Sequence, residues 1–460
     1  MKTIMGRTLI VLAALIILVA VFYAEEDWHG ERAWEKCKRD LEAKGYVLDW
    51  AELIPSPVRD DQNFFDAPKM QEWFVKPIEY PSTNELAARM TDARTSSVSD
   101  ETNAIVTETD ARSYLAWSDQ FEPDFNLIRE ALKRPFAQID GDYSDPLLMP
   151  TLNFIPIRAV TQTLAQRVHC YLLLRDPEKA LDELTLLNDS RRLLEAAPMG
   201  KPMTSVAAML NVAVTGLYVN AIADGLQSHA WRESQLATLQ EQLVKIDLAP
   251  IFTRSIECES ASTCWVFRNL LKRYPNDPSF WWKIGHFKLS TYDWMPSGWV
   301  YQNMVTIAKL NDTRLDSFDF KNGTILPDKV DSQSREVKKV LLHPSPYTFL
   351  ADIGALDLAK AVHTLAYNQA LVNEAQIACA LERYRLAHGE YPETLGSLVP
   401  QYIAMLPHGI IGGAPLHYRR TEGRKFLLYS IGWNETDNGG QVVLKADGSV
   451  DRDKGDWVWR

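Results

Sequence analysis

Clustered basic residues are missing from this 460-residue sequence. Its formal net charge is −11 at pH 7, and it contains no run of lysine and arginine residues. Proteins that bind phosphate backbones need a positive patch or stripe on their surface. We therefore expect no nucleic-acid partner.

Cysteine is scarce as well. The five cysteines are too few and too scattered for a disulfide framework. Cys258 and Cys264 form the only close pair, and their spacing places them on different faces of one helix. A bridge is permitted outside the cytoplasm but would need a break in that helix, so two buried free thiols are the expected state.

The short motifs of common enzyme classes are also absent. The sequence has no G-x-S-x-G elbow, no P-loop and no G-x-G-x-x-G fingerprint. Its nine histidines are spread singly, without H-E-x-x-H or another short metal spacing. These absences argue against the corresponding enzymes, although a site assembled from distant helices would leave no such motif.

One long hydrophobic run is present, near the N-terminus. No charge falls between Thr8 and Ala24, while two basic residues precede the run and three acidic residues follow it. At about 1.5 Å per residue the run spans roughly 26 Å, close to the thickness of a bilayer core. The charge order predicts a single-pass anchor at residues 1–24, with a cytoplasmic N-terminus and the bulk of the chain outside the cell membrane. A cleaved signal is the alternative, disfavoured because Phe22 occupies the −3 position, where the peptidase needs a small residue.

Helix signals dominate the middle of the chain. Residues 25–122 are expected to hold a stalk helix, which continues the anchor to about Gly45, and an irregular segment rich in proline and aromatics. Residues 123–345 predict a mainly helical domain, in which Asp176 is the N-cap before Pro177. The apolar stretch 205–223 is long enough to cross a membrane but is diluted by polar residues, and we interpret it as a buried central helix.

The last region, residues 346–460, combines one long helix with strands. Apolar spacing predicts a helix from Asp352 to His388, with Gly389 as its C-cap. Tyr391 then packs back on the helix end, and Pro392 prevents the helix from continuing. KFLLYSIG has the composition of a central strand, and VVLKADGSV predicts a strand that runs into an Asp-Gly turn.

This succession, LERYRLAHG, EYPETLGSLVP and KFLLYSIG, resembles the C-terminal domain of the major (G-type) pseudopilins of type II secretion. The resemblance covers residues 370–460 and implies a long helix, a Tyr-Pro turn and a small antiparallel sheet. The whole chain, including MPSGWVYQN, resembles uncharacterised membrane-anchored bacterial proteins. The implied fold is mainly α, with a transmembrane helix, a multi-helix central domain and a small α+β pseudopilin-like domain. Arg7 and Val11 depart from the pilin-type leader, so we do not expect a filament subunit.

Calcium is the cofactor that the resemblance implies. G-type pseudopilins bind this ion in a loop near the C-terminus, and the matching regions here are GWNETDNGGQ and DRDKGDW. Calcium takes six to eight oxygen ligands, which carboxylates, amides and backbone carbonyls supply. Asp437, Asn438 and Asp456 are the predicted ligands, with polar solvated turns as the alternative.

An aromatic cluster and two glutamates remain. Aromatic side chains, among them Trp281, Trp282, Trp294 and Trp299, predict either a surface for sugars, peptides or partners, or an aromatic-rich core. We expect a non-catalytic role in envelope assembly, secretion or surface binding through the C-terminal module. The alternative is an exported hydrolase with a cleft near residues 257–300, lined by this cluster and by Glu257 and Glu259.

Overall fold

The computed structural model describes residues 2–76, 84–90, 105, 107–195, 203–273, 295–355, 357–422 and 425–459. It is mainly helical, with 62% helix and a few small antiparallel sheets, which confirms the predicted mainly α class. Trp281, Trp282 and Trp294 lie outside the described residues.

The helices follow one another through most of the described chain. They are α1 (Lys2–Glu42), α2 (Met70–Phe74), α3 (Glu108–Ser118), α4 (Glu122–Ala131), α5 (Phe154–Leu173), α6 (Pro177–Arg192), α7 (Ser205–Gln227), α8 (Glu233–Leu243), α9 (Leu248–Arg273), α10 (Ser297–Leu315), α11 (Pro327–Leu342), α12 (Ala351–Gly354) and α13 (Ala359–His388). The strands are β1 (Phe318–Asp319), β2 (Thr324–Ile325), β3 (His417–Thr421), β4 (Lys425–Ser430), β5 (Val442–Leu444), β6 (Val450–Gly455) and β7 (Trp457–Val458).

The N-terminal helix α1 has two parts with different surroundings. The large apolar side chains between Leu9 and Val21 are 46–71% exposed, so this half of the helix contacts little of the protein. In the second half Trp34, Cys37 and Leu41 recur at helical spacing and are buried in a core shared with α10. The predicted helix after the apolar run is therefore continuous with it, and it packs along the body.

Two described helices are long and apolar enough to cross a membrane, α1 and α7. The apolar window of α7 is 61% buried, whereas that of α1 is not buried at all. Helix α7 packs against α5, α6, α9 and α13. It is therefore a central core helix, as predicted from the polar residues within its apolar sequence.

The largest hydrophobic core continues from the central helices into the C-terminal region. Leu184 and Leu236 of the central helices share this core with Leu381 of α13, Leu428 of β4 and Trp457 of β7. Helix α13 packs on α7 and α8 with one side and on β4 with another. The C-terminal strands are therefore attached to the helical body through α13.

Local predictions for the C-terminal region are largely confirmed. Gly389 ends α13 in the left-handed conformation, with φ 83°. Strand β4 is central, paired antiparallel with β3 and β7. Strands β5 and β6 form a separate antiparallel pair whose turn contains Gly448, also left-handed at φ 81°. The likeness to the complete pseudopilin fold stays a prediction.

The single helix expected from Asp352 to His388 is wrong, because the chain breaks it into α12 and α13. The Asp357 carboxylate accepts hydrogen bonds from Ser334 (2.9 Å) and from the backbone N–H of Ala359 (3.2 Å), and it pairs with Lys338 at 3.2 Å. Ser334 and Lys338 belong to α11, so contacts from another helix fix the point where α13 begins. The spacing of apolar residues does not reveal these contacts between Asp357 and α11.

Two smaller predictions are confirmed. The side chain of Asp176 caps α6 by accepting the backbone N–H of Lys179 at 3.2 Å. All five cysteines are free and buried, so Cys258 and Cys264 are not bridged.

Candidate functional site

The second half of α1 joins the body at a close crossing with α10. A Cβ atom added to Gly30 would overlap the backbone of Gly298, and one added to Gly298 would overlap the backbone of Glu26 and Asp27. Only glycine lets two helix backbones approach this closely. We call this crossing the anchor joint, defined by Glu26, Asp27, Gly30, Gly298 and Trp299.

Acidic side chains hold the anchor joint together. Asp27 accepts the backbone N–H of Gly298 at 2.8 Å, which satisfies one of the unpaired donors in the first turn of α10. Glu26 accepts the indole N–H of Trp299 at 3.1 Å and the hydroxyl of Tyr347 at 3.0 Å. The acidic residues that follow the apolar run therefore fasten it to the body.

Trp299 is the described member of the predicted aromatic surface. Its ring is half-buried at the anchor joint and meets the ring of Phe22 edge to face, with centroids 6.4 Å apart. The structure thus places Trp299 beside the apolar half of α1. A ligand-binding surface formed with Trp281, Trp282 and Trp294 stays a prediction.

A cavity of about 540 Å³ opens at the far end of α10 from the anchor joint. Its lining is about equally polar and apolar and comes from the residues after α1, from α9 and α10, and from the region between β1 and α11. The polar part includes Tyr46, Glu257, Asp312, Asp316 and Lys329. Lys44 reaches Asp312 at 2.7 Å. Burial and then the neighbouring carboxylates of Asp312, Asp316 and Glu257 raise the pKa of Tyr46, which keeps its hydroxyl protonated.

The two glutamates predicted near this region are separated. Glu257 lines the cavity and pairs with Arg254 at 3.1 Å. Glu259 instead accepts the backbone N–H of Ser205 at 2.8 Å, at the start of α7. The helix directs them to different neighbours, so they do not act together as an acid and base couple.

A second cavity, of about 890 Å³, was not anticipated from the sequence. Arg167 lies beside it with 1% exposure, and each of its N–H groups has an acceptor; the acceptors are Glu183, Ser118, Asp119, Glu122 and Tyr171. Burial raises the pKa of Glu183, although Arg167 opposes the shift. Since Arg167 has no spare donor, this cluster stabilises the packing of α3 to α6 rather than offering a cation to a ligand. Its members are scattered along the chain, so no local motif signals it.

The predicted calcium ligands do come together in the C-terminal region. Asp456 is 1% exposed, and its carboxylate accepts the backbone N–H groups of Asn438 (3.0 Å) and Gly440 (2.7 Å). Asp437 accepts the hydroxyl of Tyr429 at 3.1 Å and the backbone N–H of Gly439 at 2.8 Å. The loop is therefore closed by its own carboxylates.

The carboxylates of this loop are hydrogen-bonded within the loop itself. Asp456 and one oxygen of Asp437 accept N–H and O–H groups here, and calcium binding would require the carboxylate oxygens to face a common centre. Within the described ranges no group of three or more His, Cys, Asp or Glu side chains could hold a metal ion. Calcium binding at Asp437, Asn438 and Asp456 stays a prediction of the resemblance.

Comparison of the chain with protein-family models, with curated proteins and with solved structures returns no match.

Proposed function

We propose that the chain is a membrane-anchored extracytoplasmic protein without catalytic activity, which binds envelope or secretion partners through its C-terminal module. We define this module as residues 389–459. The observation that carries the proposal is the rigid attachment of the module, through α13, to a body that is itself fastened to an exposed apolar helix.

Two neighbouring residues near the end of α13 join the module to the body, because Arg383 donates to the backbone carbonyl of Tyr402 at 3.1 Å and Glu382 accepts the hydroxyl of Tyr391 at 2.9 Å. Arg383 pairs with Glu233 at 2.7 Å and donates to the side chain of Gln240 at 2.7 Å, both on α8. Glu382 is in contact with His229, just after α7, at 2.9 Å. These contacts and the shared core resist any swing of the module. A partner bound there would be held at a fixed place relative to α1.

The outer surface of the module supports a binding role. Met405 is 79% exposed and Leu444 is 60% exposed, so each offers an apolar side chain that a partner could cover. Arg419 adds an exposed positive charge on β3 in a protein that is acidic as a whole.

The location is supported by α1. Its apolar side chains are exposed over a length that suits a bilayer core, and the acidic residues beyond them suit the outer face. In the structure those acidic residues are part of the body, and Phe22 contacts Trp299. A peptidase that cut after Ala24 would remove a residue that packs on the body, which favours a retained anchor.

Site-specific photocrosslinking in cells tests the proposal. A photoreactive amino acid replaces Leu444 or Met405 in the module, or Ile155, which is 67% exposed on α5, as the matched control. We expect discrete crosslinked adducts from the module positions and none from the control. Failure of both module positions to crosslink, in a chain found at the membrane, would contradict partner binding by the module.

The hydrolase remains a second candidate because Glu257 lines a cavity together with Tyr46 and Asp312. A carboxylate next to a protonated hydroxyl in a cleft is a combination that general acid–base catalysis uses. Purified chain is assayed against peptide, ester and glycoside panels, beside Glu257→Gln and the exposed control Glu336→Gln. Turnover that only Glu257→Gln abolishes would support the hydrolase and overturn the non-catalytic role.

A further inference from the structure

We infer that the body docks on the headgroup layer of the bilayer beside α1, through a collar formed by Phe22, Trp28, Trp299, Leu342 and Tyr347. This inference rests on the proposed membrane anchor and goes beyond it. An anchor alone would leave the body free to tilt or lift away, whereas docking gives it one orientation.

The direction of the helices defines which end of the body faces the membrane. Gly30 lies against Gly298, and Lys44 reaches Asp312 at 2.7 Å, so α1 and α10 run in the same direction. The start of α10 is therefore at the level where the apolar run ends. The opposite end, with the cavity around Asp312, lies about 20 Å farther along the helix axis.

The level of Trp299 follows from its contact with Glu26. Glu26 is two residues beyond Ala24, which places the indole about 3 Å past the end of the apolar run. The headgroup region of a bilayer occupies roughly 5 to 8 Å on each side of the hydrocarbon core. Trp299 and Tyr347, which both donate to Glu26, thus fall within that layer.

The chemistry of the collar suits this layer. Tryptophan and tyrosine are enriched at membrane interfaces, because each has an apolar ring and one polar group. Trp28 is 60% exposed, Leu342 is 75% exposed, and Tyr347 is 41% exposed. The guanidinium of Arg32 lies over the Trp28 ring at 5.1 Å. These residues continue the exposed apolar surface of α1 outward onto the body.

The collar includes residues of the body itself, and not only of the anchor helix. The backbone carbonyls of Pro346 and Tyr347 accept hydrogen bonds from Asn303 (2.9 Å) and Thr306 (3.0 Å) of α10. Leu342 ends α11, five positions before Tyr347. The other end of α11 carries Lys329, which lines the distal cavity. Helix α11 therefore begins at the far end of the body, and the segment that follows it returns to the anchor joint through Tyr347.

Charge favours a neutral lipid surface as the partner. The residues nearest the end of the apolar run are acidic, so anionic headgroups would be repelled rather than recruited. We therefore expect docking on phosphatidylcholine, without a requirement for anionic lipid.

A matched pair of labels on α11 tests the inference. Single replacements Leu342→Cys and Lys329→Cys place a thiol-reactive fluorophore at the two ends of one helix, about 20 Å apart. Both positions are exposed, and the native cysteines are all buried, so the new thiol is the accessible one. The full chain is reconstituted into phosphatidylcholine vesicles that contain a lipid with a quencher at headgroup depth. We expect the label at position 342 to lose most of its fluorescence and the label at 329 to keep it.

The other outcomes are separable by a carbonate wash of the vesicles. Retained protein in which both labels escape quenching would overturn docking while leaving the anchor intact. Retained protein with both labels quenched would overturn the inferred orientation, because the body would then lie on its side. Release of the protein by the wash would contradict the membrane anchor, and therefore also the docking that depends on it.

Discussion

The hydroxyl of Tyr391 donates a hydrogen bond of 2.9 Å to the buried carboxylate of Glu382. The same carboxylate accepts from Arg385 at 2.7 and 2.8 Å and is in contact with the imidazole of His229 at 2.9 Å. The end of α13, the Tyr-Pro turn and the helical body therefore meet at one side chain. The LERYRLAHGEYP sequence thus does more than stop a helix, since it also attaches the C-terminal module to the rest of the protein.

Replacement of Glu382 by glutamine should destabilise the protein at neutral pH. Hydrogen bonds to a charged group contribute about 1.5–3 kcal/mol each, and glutamine retains only part of that. We expect a lower melting temperature for the full chain in detergent at pH 7, measured beside the exposed control Glu336→Gln. Identical melting of the two variants would contradict the structural role of Glu382.

The pH dependence of stability provides a separate test of Glu382. Burial alone would raise its pKa, but hydrogen bonds from Arg385, His229 and Tyr391 together hold it below the ordinary value of 4.5. A lowered pKa in the folded state contributes stability above pH 4.5 that is lost as pH falls through the folded value. Melting temperatures between neutral and acidic pH should therefore decline less steeply for Glu382→Gln than for the unmodified chain.

Glu374 should show the opposite pH dependence. It is fully buried under β4, where the hydroxyl of Ser430 donates to one carboxylate oxygen at 3.2 Å and the other oxygen has no partner among the described residues. Burial raises its pKa well above 4.5, so the folded protein keeps the proton. Glu374 therefore makes its full contribution to folding stability below pH 4.5, and this contribution is lost as pH rises toward and through the folded pKa.

Glutamine at position 374 cannot ionise, so the Glu374→Gln variant does not lose stability at this site as pH rises. At pH 8 we expect the free energy of unfolding of Glu374→Gln to exceed that of the unmodified chain by about 1–3 kcal/mol, which raises its melting temperature. At pH 5 we expect a smaller difference. A difference that does not change with pH would contradict the raised pKa, because Glu374 would then release its proton over the same pH range in the folded and unfolded states.

Substitutions at the anchor joint should loosen α1 from the body. Gly298→Ala places a methyl group against the backbone of Glu26, and crowding of this kind costs about 1–3 kcal/mol. The matched control is Gly6→Ala, since a Cβ at Gly6 meets nothing within 4 Å. We expect a lower melting temperature and faster proteolysis within the second half of α1 for Gly298→Ala only. Equal behaviour of the two variants would contradict the close crossing.

The C-terminal loop offers a choice between hydrogen bonds and calcium. Asp456→Asn weakens the bonds to two backbone N–H groups, and we expect a loss of about 1.5–3 kcal/mol of stability. Melting is also compared in millimolar calcium and in chelator. A ligand at 100 times its Kd adds about 2.7 kcal/mol, so binding would be visible. The hydrogen bonds lead us to expect no shift, whereas an upward shift that Asp437→Ala abolishes would support calcium.

Sequence reasoning succeeded where a structure is decided by neighbours along the chain. Gly389 ends a helix because its φ is positive, Asp176 caps the next residues, and KFLLYSIG forms a strand from its own composition. Tyr391, three positions after the end of α13, packs back on the helix as predicted and binds Glu382. These are local effects, and a single sequence contains them.

The parts that sequence reasoning missed depend on residues far apart. Trp299 donates a hydrogen bond to Glu26, which is 273 positions away in the sequence, and Glu382 contacts His229, which is 153 positions away. Asp357 starts α13 through contacts to α11, which no spacing rule contains. Composition indicates an aromatic cluster that includes Trp299, but it does not indicate that Trp299 packs beside the anchor helix. Tertiary packing selected these partners, so the candidate sites could be named but not located.

The most direct test of the account is the intact mass of the protein in carbonate-washed membranes. We predict a washed membrane fraction that contains the full chain with residues 1–24 still attached, because the anchor is retained and fastened to the body at Glu26, Asp27 and Gly298. A soluble species that begins at Glu25, with none of the chain left in the membrane, would contradict the anchor and the docking that depends on it.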